Sequence, residues 1–138
     1  MNIDALKAAV RNASPEGYTP QCHWLYHDAA GADVMAVARF NVVEANGKER
    51  PKQFRPFVSN GNGGFVSTFP ERRPLYNLHK LAANPEAVVL VVEGEKAADA
   101  AAKLFPDYVH HLGGRQSSRV KDGLAAARRA ARLRVAGQ

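Results

Sequence analysis

Apolar and polar residues alternate along the first half of the chain with the period of two that is typical of half-buried β-strands. Turn-forming residues at 28–31 separate the first two stretches, and an Asn46-Gly47 pair predicts a hairpin before the third. The predicted strands are Cys22 to His27, Val34 to Val43, Gln53 to Val58 and Phe65 to Thr68. Residues 21–87 are therefore expected to contain an antiparallel β meander.

Helical periodicity predicts one helix before the meander and one after its strands. The first covers residues 1–13, within an N-terminal helix and linker region of residues 1–20. Its apolar side carries Ile3, Leu6 and Val10. The second is a short helix from Leu75 to Ala83 that lies between prolines and closes the β region.

The pattern changes to that of a parallel sheet at residues 88–114. Val88 to Val92 is a continuous aliphatic run, which predicts a strand covered on both faces. Glu95 to Phe105 predicts an alanine-rich helix that Pro106 ends, and Tyr108 to Leu112 fits the next strand. Strand, helix and strand in this order predict a βαβ unit with two parallel strands. The expected fold class is α/β, or α+β overall: an antiparallel meander followed by one βαβ unit.

Composition narrows the class of protein further. The chain has 138 residues and 46% apolar residues, enough for a globular domain with its own core. No apolar run approaches the roughly 20 residues of a membrane span, and the N-terminus does not resemble a secretory signal. The single cysteine, Cys22, excludes an internal disulfide and a CxxC metal site. We therefore expect a cytoplasmic protein with no membrane partner.

The net charge of +6 is carried entirely by the C-terminal region. Residues 1–114 contain 12 Lys and Arg and 12 Asp and Glu, whereas residues 115–138 contain seven basic residues and one acid. A basic protein is a candidate for nucleic-acid binding. The asymmetry shows in addition that the last 24 residues, a basic tail rich in Ala and Arg, differ in kind from the rest.

The junction Glu93-Gly94-Glu95-Lys96 carries the candidate chemistry. Ligands gather at the carboxyl ends of parallel strands, where Glu93 lies, and Gly94 is expected to let the backbone turn tightly. Such a carboxylate can bind Mg²⁺ or act as a general acid or base, and Lys96 can meet a phosphate. The alternative is that both glutamates complement the helix dipole and Lys96 is a solvated surface residue. The spacing alone favours this alternative, since the signal is short and lacks the glycines of a P-loop.

The stretch VVLVVEGEKAADAAAKLF resembles the first strand and helix of Toprim domains, in particular those of phage and plasmid primase–helicase proteins. The segments YHDAAGADVMAVARFNV, KQFRPFV and RPLYNLHKLA resemble those that precede this strand in that family, so the resemblance covers roughly residues 20–112. It implies Mg²⁺-dependent primer synthesis in DNA replication. By the same resemblance, Glu93 matches the Toprim glutamate, a general acid/base or metal-associated residue. Gly94 and Lys96 match the glycine and lysine that follow it.

Two departures from the family bear on activity. Toprim proteins hold Mg²⁺ with a D-x-D motif on a later strand, and no D-x-D occurs in this sequence. A single cysteine also cannot build the zinc-binding domain that such primases often carry. We therefore expect no cofactor in this chain, although an intact family member would use Mg²⁺. The expected function is that of a truncated Toprim primase-like protein that is not catalytic by itself.

Codon degeneracy offers an explanation of the tail. Displaced by one nucleotide, codons for His110 to Leu112 can encode Thr-Thr-Trp, and those for Lys121 to Leu124 can encode Lys-Thr-Asp-Trp. Codons for Arg134 to Gln138 can encode Val-Trp-Pro-Asp-Asn, at the place where the family has its D-x-D strand. Residues 115–138 are therefore predicted to be out of frame relative to the family. A natural truncation, a frameshift and a sequencing error all fit this pattern.

Taken at face value, the tail predicts a helix with a weak hydrophobic stripe. Its arginines can bind a phosphate backbone with salt-sensitive affinity; the candidates are Arg128, Arg129 and Arg132. The alternative function is thus a non-enzymatic module that binds DNA, RNA or a replication protein through this tail. The sequence indicates no oligomeric state.

Two further groups of residues permit a nucleic-acid interpretation. Arg72 and Arg73 either touch a phosphate backbone or form a solvated turn. Aromatic residues interleave with Arg39, Lys52 and Arg55 in the meander, as in a sheet that stacks bases. These aromatics are Trp24, Tyr26, Phe40, Phe54 and Phe57. A core role is favoured for them, because a small meander needs an apolar inner face.

Overall fold

The computed structural model describes residues 1–42 and 44–112, which form two compact units. Among the described residues, the first unit contains residues 1–25, 33–42 and 44–73, and the second contains residues 26–32 and 74–112. The helices are α1 (Ile3–Asn12), α2 (Leu78–Ala83) and α3 (Glu95–Leu104). The strands are β1 (Thr19–His27), β2 (Asp33–Asn41), β3 (Gln53–Ser59), β4 (Phe65–Val66), β5 (Val89–Val92) and β6 (Val109–Leu112).

The predicted meander is confirmed. β1 to β4 form one four-stranded antiparallel sheet whose spatial order follows the chain. β2 and β3 pair with Ala36 opposite Phe57 and Arg39 opposite Phe54. The hairpin between them turns at Gly47, whose φ of +79° is readily available to glycine and whose N–H donates to the Glu44 carbonyl.

Helix α1 covers one face of this sheet, as its apolar periodicity predicts. It begins at Asn2, whose side-chain oxygen accepts hydrogen bonds from the backbone N–H groups of Asp4 and Ala5. Its buried residues join those of the sheet in one core of Leu6, Val10, Ala36, Ala38, Phe40 and Phe57. Ile3, near the helix start, is 38% exposed and is not part of this core.

The second unit contains a β5–α3–β6 succession in which the two strands run parallel. Val89 lies opposite Val109, and Val92 lies opposite Leu112. The prediction that the aliphatic run is covered on both faces is wrong at Val91, which is 50% exposed. The apolar cluster around Leu81 of α2 includes Val89 but not Val91.

Helix α2 begins three residues later than its pattern predicts. The preceding Asn77 adopts a left-handed conformation with φ of +62°, which interrupts helical geometry there. Asn77 is buried, and an asparagine tolerates this conformation better than most residues. In the described part of the chain, no helix has the length and apolar character needed to cross a membrane.

Candidate functional site

Glu93 lies where the sequence places it, immediately after β5 and directly before the N-cap of α3. Its side chain is exposed and makes no hydrogen bond or ion pair with the described residues. Lys96, in the first turn of α3, is exposed as well. The site thus presents, at the carboxyl end of a parallel strand, one carboxylate that makes no interaction with the described residues and one cation three residues further on.

Gly94 does not have the conformational role expected for it. Its backbone is extended, with φ of −152° and ψ of 161°, which any residue can adopt. A Cβ atom placed there would meet no heavy atom within 4 Å. The chain therefore does not need a glycine to turn from β5 into α3. Because Gly94 has no side chain, the N-terminus of α3 lacks a side-chain cap at the position next to Glu93.

Glu95 differs from Glu93 because it is held by a tyrosine. The Tyr26 hydroxyl donates a 2.6 Å hydrogen bond to Glu95 Oε1. One helical turn later, Asp99 Oδ1 accepts a 2.8 Å hydrogen bond from the Tyr76 hydroxyl. The two tyrosine rings pack together with centroids 5.2 Å apart. Two carboxylates spaced four residues apart on α3 are thus fixed by two neighbouring tyrosines.

Both tyrosine hydroxyls are protonated at neutral pH, and burial extends the protonated range to higher pH by raising each pKa. Desolvation is the largest cause that raises the pKa of Tyr26 far above its ordinary value, followed by its hydrogen bond to Glu95. Burial and the bond to Asp99 raise the pKa of Tyr76 in the same way. Each hydroxyl is therefore a hydrogen-bond donor at neutral pH, and its carboxylate partner is the acceptor.

Two histidines form a second contact in the same unit. The rings of His27 and His79 have centroids 4.3 Å apart. Burial lowers the pKa of His79 below its ordinary value, and the charges of His27 and Lys80 act in the same direction. His79 is therefore neutral at pH 7 and adds no cation to the site. Among the residues that the structure describes, no three His, Cys, Asp or Glu side chains are grouped as metal ligands.

Three of the predicted phosphate-binding residues are divided between the two units. Arg72 and Arg73 are exposed in the first unit, whereas Lys96 belongs to the second. The Arg73 guanidinium carbon lies 3.6 Å from the centroid of the Phe69 ring, a cation–π contact that orients it. The tail residues Arg128, Arg129 and Arg132 lie outside the described residues.

The expectation of a core role for the meander aromatics is confirmed for four of the five. The buried ones are Trp24, Tyr26, Phe40 and Phe57. It is wrong for Phe54, whose side chain is 53% exposed. Its ring stacks on that of Trp24, with centroids 6.5 Å apart and an angle of 25° between the planes.

Sequence reasoning missed the tyrosine–carboxylate pairs. Tyr26 and Glu95 are 69 residues apart, and no local pattern links them. The four-residue spacing of Glu95 and Asp99 did place both carboxylates on one face of α3. That spacing was the only sequence signal for these pairs, and it did not indicate that tyrosines would bind the two carboxylates.

Comparisons with known proteins do not assign a family. No protein-family model matches the chain, and neither the curated proteins nor the solved structures contain a detectable match. The functional conclusion therefore depends on the residues themselves and on the resemblance of the EGEK stretch.

Proposed function

We propose that this chain is the N-terminal part of a Toprim-type replication protein and that it binds DNA without synthesising primers by itself. The single observation that carries the proposal is the position of Glu93. An exposed carboxylate directly after a parallel strand, at the start of a helix, is the arrangement that the EGEK resemblance implies. The antiparallel sheet that precedes it also supports the proposal, because the resemblance extends through that region.

The described residues do not fit a complete Mg²⁺ site. A Mg²⁺ ion needs several oxygen ligands, usually carboxylates, waters and substrate phosphates in octahedral geometry. Glu93 is uncommitted, but Glu95 is held by Tyr26, and neither carboxylate belongs to a group of three ligands in residues 1–42 and 44–112. No catalytic step through Mg²⁺ follows from these residues. Glu93 is the residue that would act once further ligands were supplied.

A second candidate function is supported by the charge distribution. The seven basic residues of the 115–138 segment against one acid can bind a phosphate backbone, whatever the role of Glu93. In that case the chain is a non-enzymatic nucleic-acid-binding module, with Arg128, Arg129 and Arg132 among its contacts.

Fluorescence anisotropy of a labelled single-stranded DNA tests both functions with the intact 138-residue chain. We expect binding that weakens as salt is raised, because each phosphate contact releases a counterion. Deleting residues 115–138 separates the candidates. Binding that survives the deletion supports a DNA-binding N-terminal part, and binding that disappears supports the tail module. An absence of binding by the intact chain at low salt contradicts both.

A further inference from the structure

Phe54 is an exposed aromatic residue whose position is fixed by a buried neighbour. It lies on β3, 53% exposed, and its ring stacks on Trp24, which is only 8% exposed. A single exposed phenylalanine is common on protein surfaces and needs no explanation by itself. Here, however, the Trp24 ring packs against one face of the Phe54 ring and fixes its orientation. The exposed part of the Phe54 ring is therefore an apolar surface of fixed orientation.

One basic residue lies beside this ring, and a second precedes it in the sequence. Arg39 on β2 is the direct cross-strand partner of Phe54, so the two side chains lie on the same face of the sheet. The Arg39 Nε donates a 3.0 Å hydrogen bond to Asn41 Oδ1. Within the described residues the terminal guanidinium nitrogens make no other hydrogen bond, so they are available to a ligand. Lys52 is exposed and lies two residues before Phe54 in the sequence, directly before β3 begins.

An aromatic ring beside cations fits one kind of ligand particularly well. Unpaired bases stack on exposed aromatic rings in a sequence-tolerant way, because every base has a π-face, while the adjoining phosphates contact Arg and Lys. Base pairs in a duplex hide these faces, so a duplex offers the ring little. Phe105 is also an exposed phenylalanine, but its ring contacts an exposed aromatic residue, Tyr108, at the end of α3. The ring of Phe54, in contrast, rests on a buried tryptophan.

We propose that Phe54, supported by Trp24, with Arg39 beside it and Lys52 before it in the sequence, is a stacking site for an unpaired base of single-stranded nucleic acid. The inference deepens the proposed function and rests on it: it names the substrate form and a contact in the first unit. Phe54 supplies the stacking surface, and Arg39 and Lys52 contact the neighbouring phosphates.

The chain contains one tryptophan, so fluorescence excited selectively from tryptophan comes from Trp24 alone. We expect a single-stranded DNA of about ten nucleotides, within the usual site sizes, to quench or shift the emission of Trp24. Phe54→Ala should weaken binding about 5- to 100-fold, since stacking a base on an aromatic ring contributes energies of that size. Phe54→Tyr keeps the ring and should bind like the original chain. Phe105→Ala, the matched control, should have no effect on affinity.

The remaining outcomes are equally informative. A duplex competitor should leave the Trp24 signal unchanged. DNA binding with an unchanged Trp24 signal and a normal Phe54→Ala affinity overturns the stacking site while leaving the proposed function intact. The Trp24 emission maximum could also shift as the protein concentration is raised without DNA. If that shift is absent in Phe54→Ala, the stacking site is overturned as well, because Phe54 is then a contact between copies of the chain. No binding of any nucleic acid contradicts both proposals.

Discussion

Phe40→Ala is expected to lower the free energy of unfolding by about 3–5 kcal/mol, as truncation of a fully buried aromatic residue does. Phe40 is 0% exposed and packs in the core between α1 and the sheet, where the cavity left by the ring cannot be filled by water. A loss of this size is a large share of the roughly 5–15 kcal/mol of an ordinary domain. Urea unfolding followed by far-ultraviolet circular dichroism measures it.

Phe54→Ala is the matched control for this prediction. The same chemical change at a half-exposed ring should cost about 1 kcal/mol or less, mainly the stacking contact with Trp24. Equal losses for the two variants would mean that both rings are core residues. Such a result would also remove the exposed surface on which the proposed base stacking depends.

Tyr26→Phe is expected to lower the free energy of unfolding by about 1.5–3 kcal/mol, the usual range for a hydrogen bond to a charged group. The ring stays, so packing against Tyr76 is preserved and only the 2.6 Å bond to Glu95 is removed. The cost is near the upper part of the range because the donor is buried and the carboxylate is left partly desolvated. Denaturant unfolding at constant pH checks this loss.

Tyr108→Phe removes a hydroxyl from an exposed tyrosine and should leave stability nearly unchanged. Combining Tyr26→Phe with Glu95→Gln then isolates the pair, because the double variant should lose less than the two single losses added together. Strict additivity, or a Tyr26→Phe loss as small as that of Tyr108→Phe, would show that the contact does not stabilise the second unit.

Much of the fold could be predicted because its signals are local. Strand alternation, the Asn46-Gly47 turn and the apolar spacing of α1 each fix a short segment without reference to the rest of the chain. The parallel succession from β5 to β6 was equally accessible, since an aliphatic run, a helix and a second strand-like stretch follow one another closely. Glu93 falls at a predictable place because the junction is part of this succession.

Features that depend on distant residues could not be predicted. Glu93 and Glu95 look alike in the sequence, yet only Glu95 meets a tyrosine from β1. Phe54 and Phe57 also look alike, but they are three residues apart on one strand and therefore point to opposite faces. Phe57 faces α1 and is buried, whereas Phe54 faces away from it and is exposed.

The nucleotide sequence that encodes residues 110–138 tests the Toprim assignment most directly. Suppose that the tail is the family sequence translated one nucleotide out of frame. Three codons must then each end in TG, because TG and the G that follows form the tryptophan codon TGG in the shifted frame. These are the codons of Leu112, Leu124 and Val135. We expect all three to do so, and to give Thr-Thr-Trp, Lys-Thr-Asp-Trp and Val-Trp-Pro-Asp-Asn. A leucine or valine codon with any other ending at one of these positions would contradict the displaced frame and leave the EGEK stretch as the remaining support for the family.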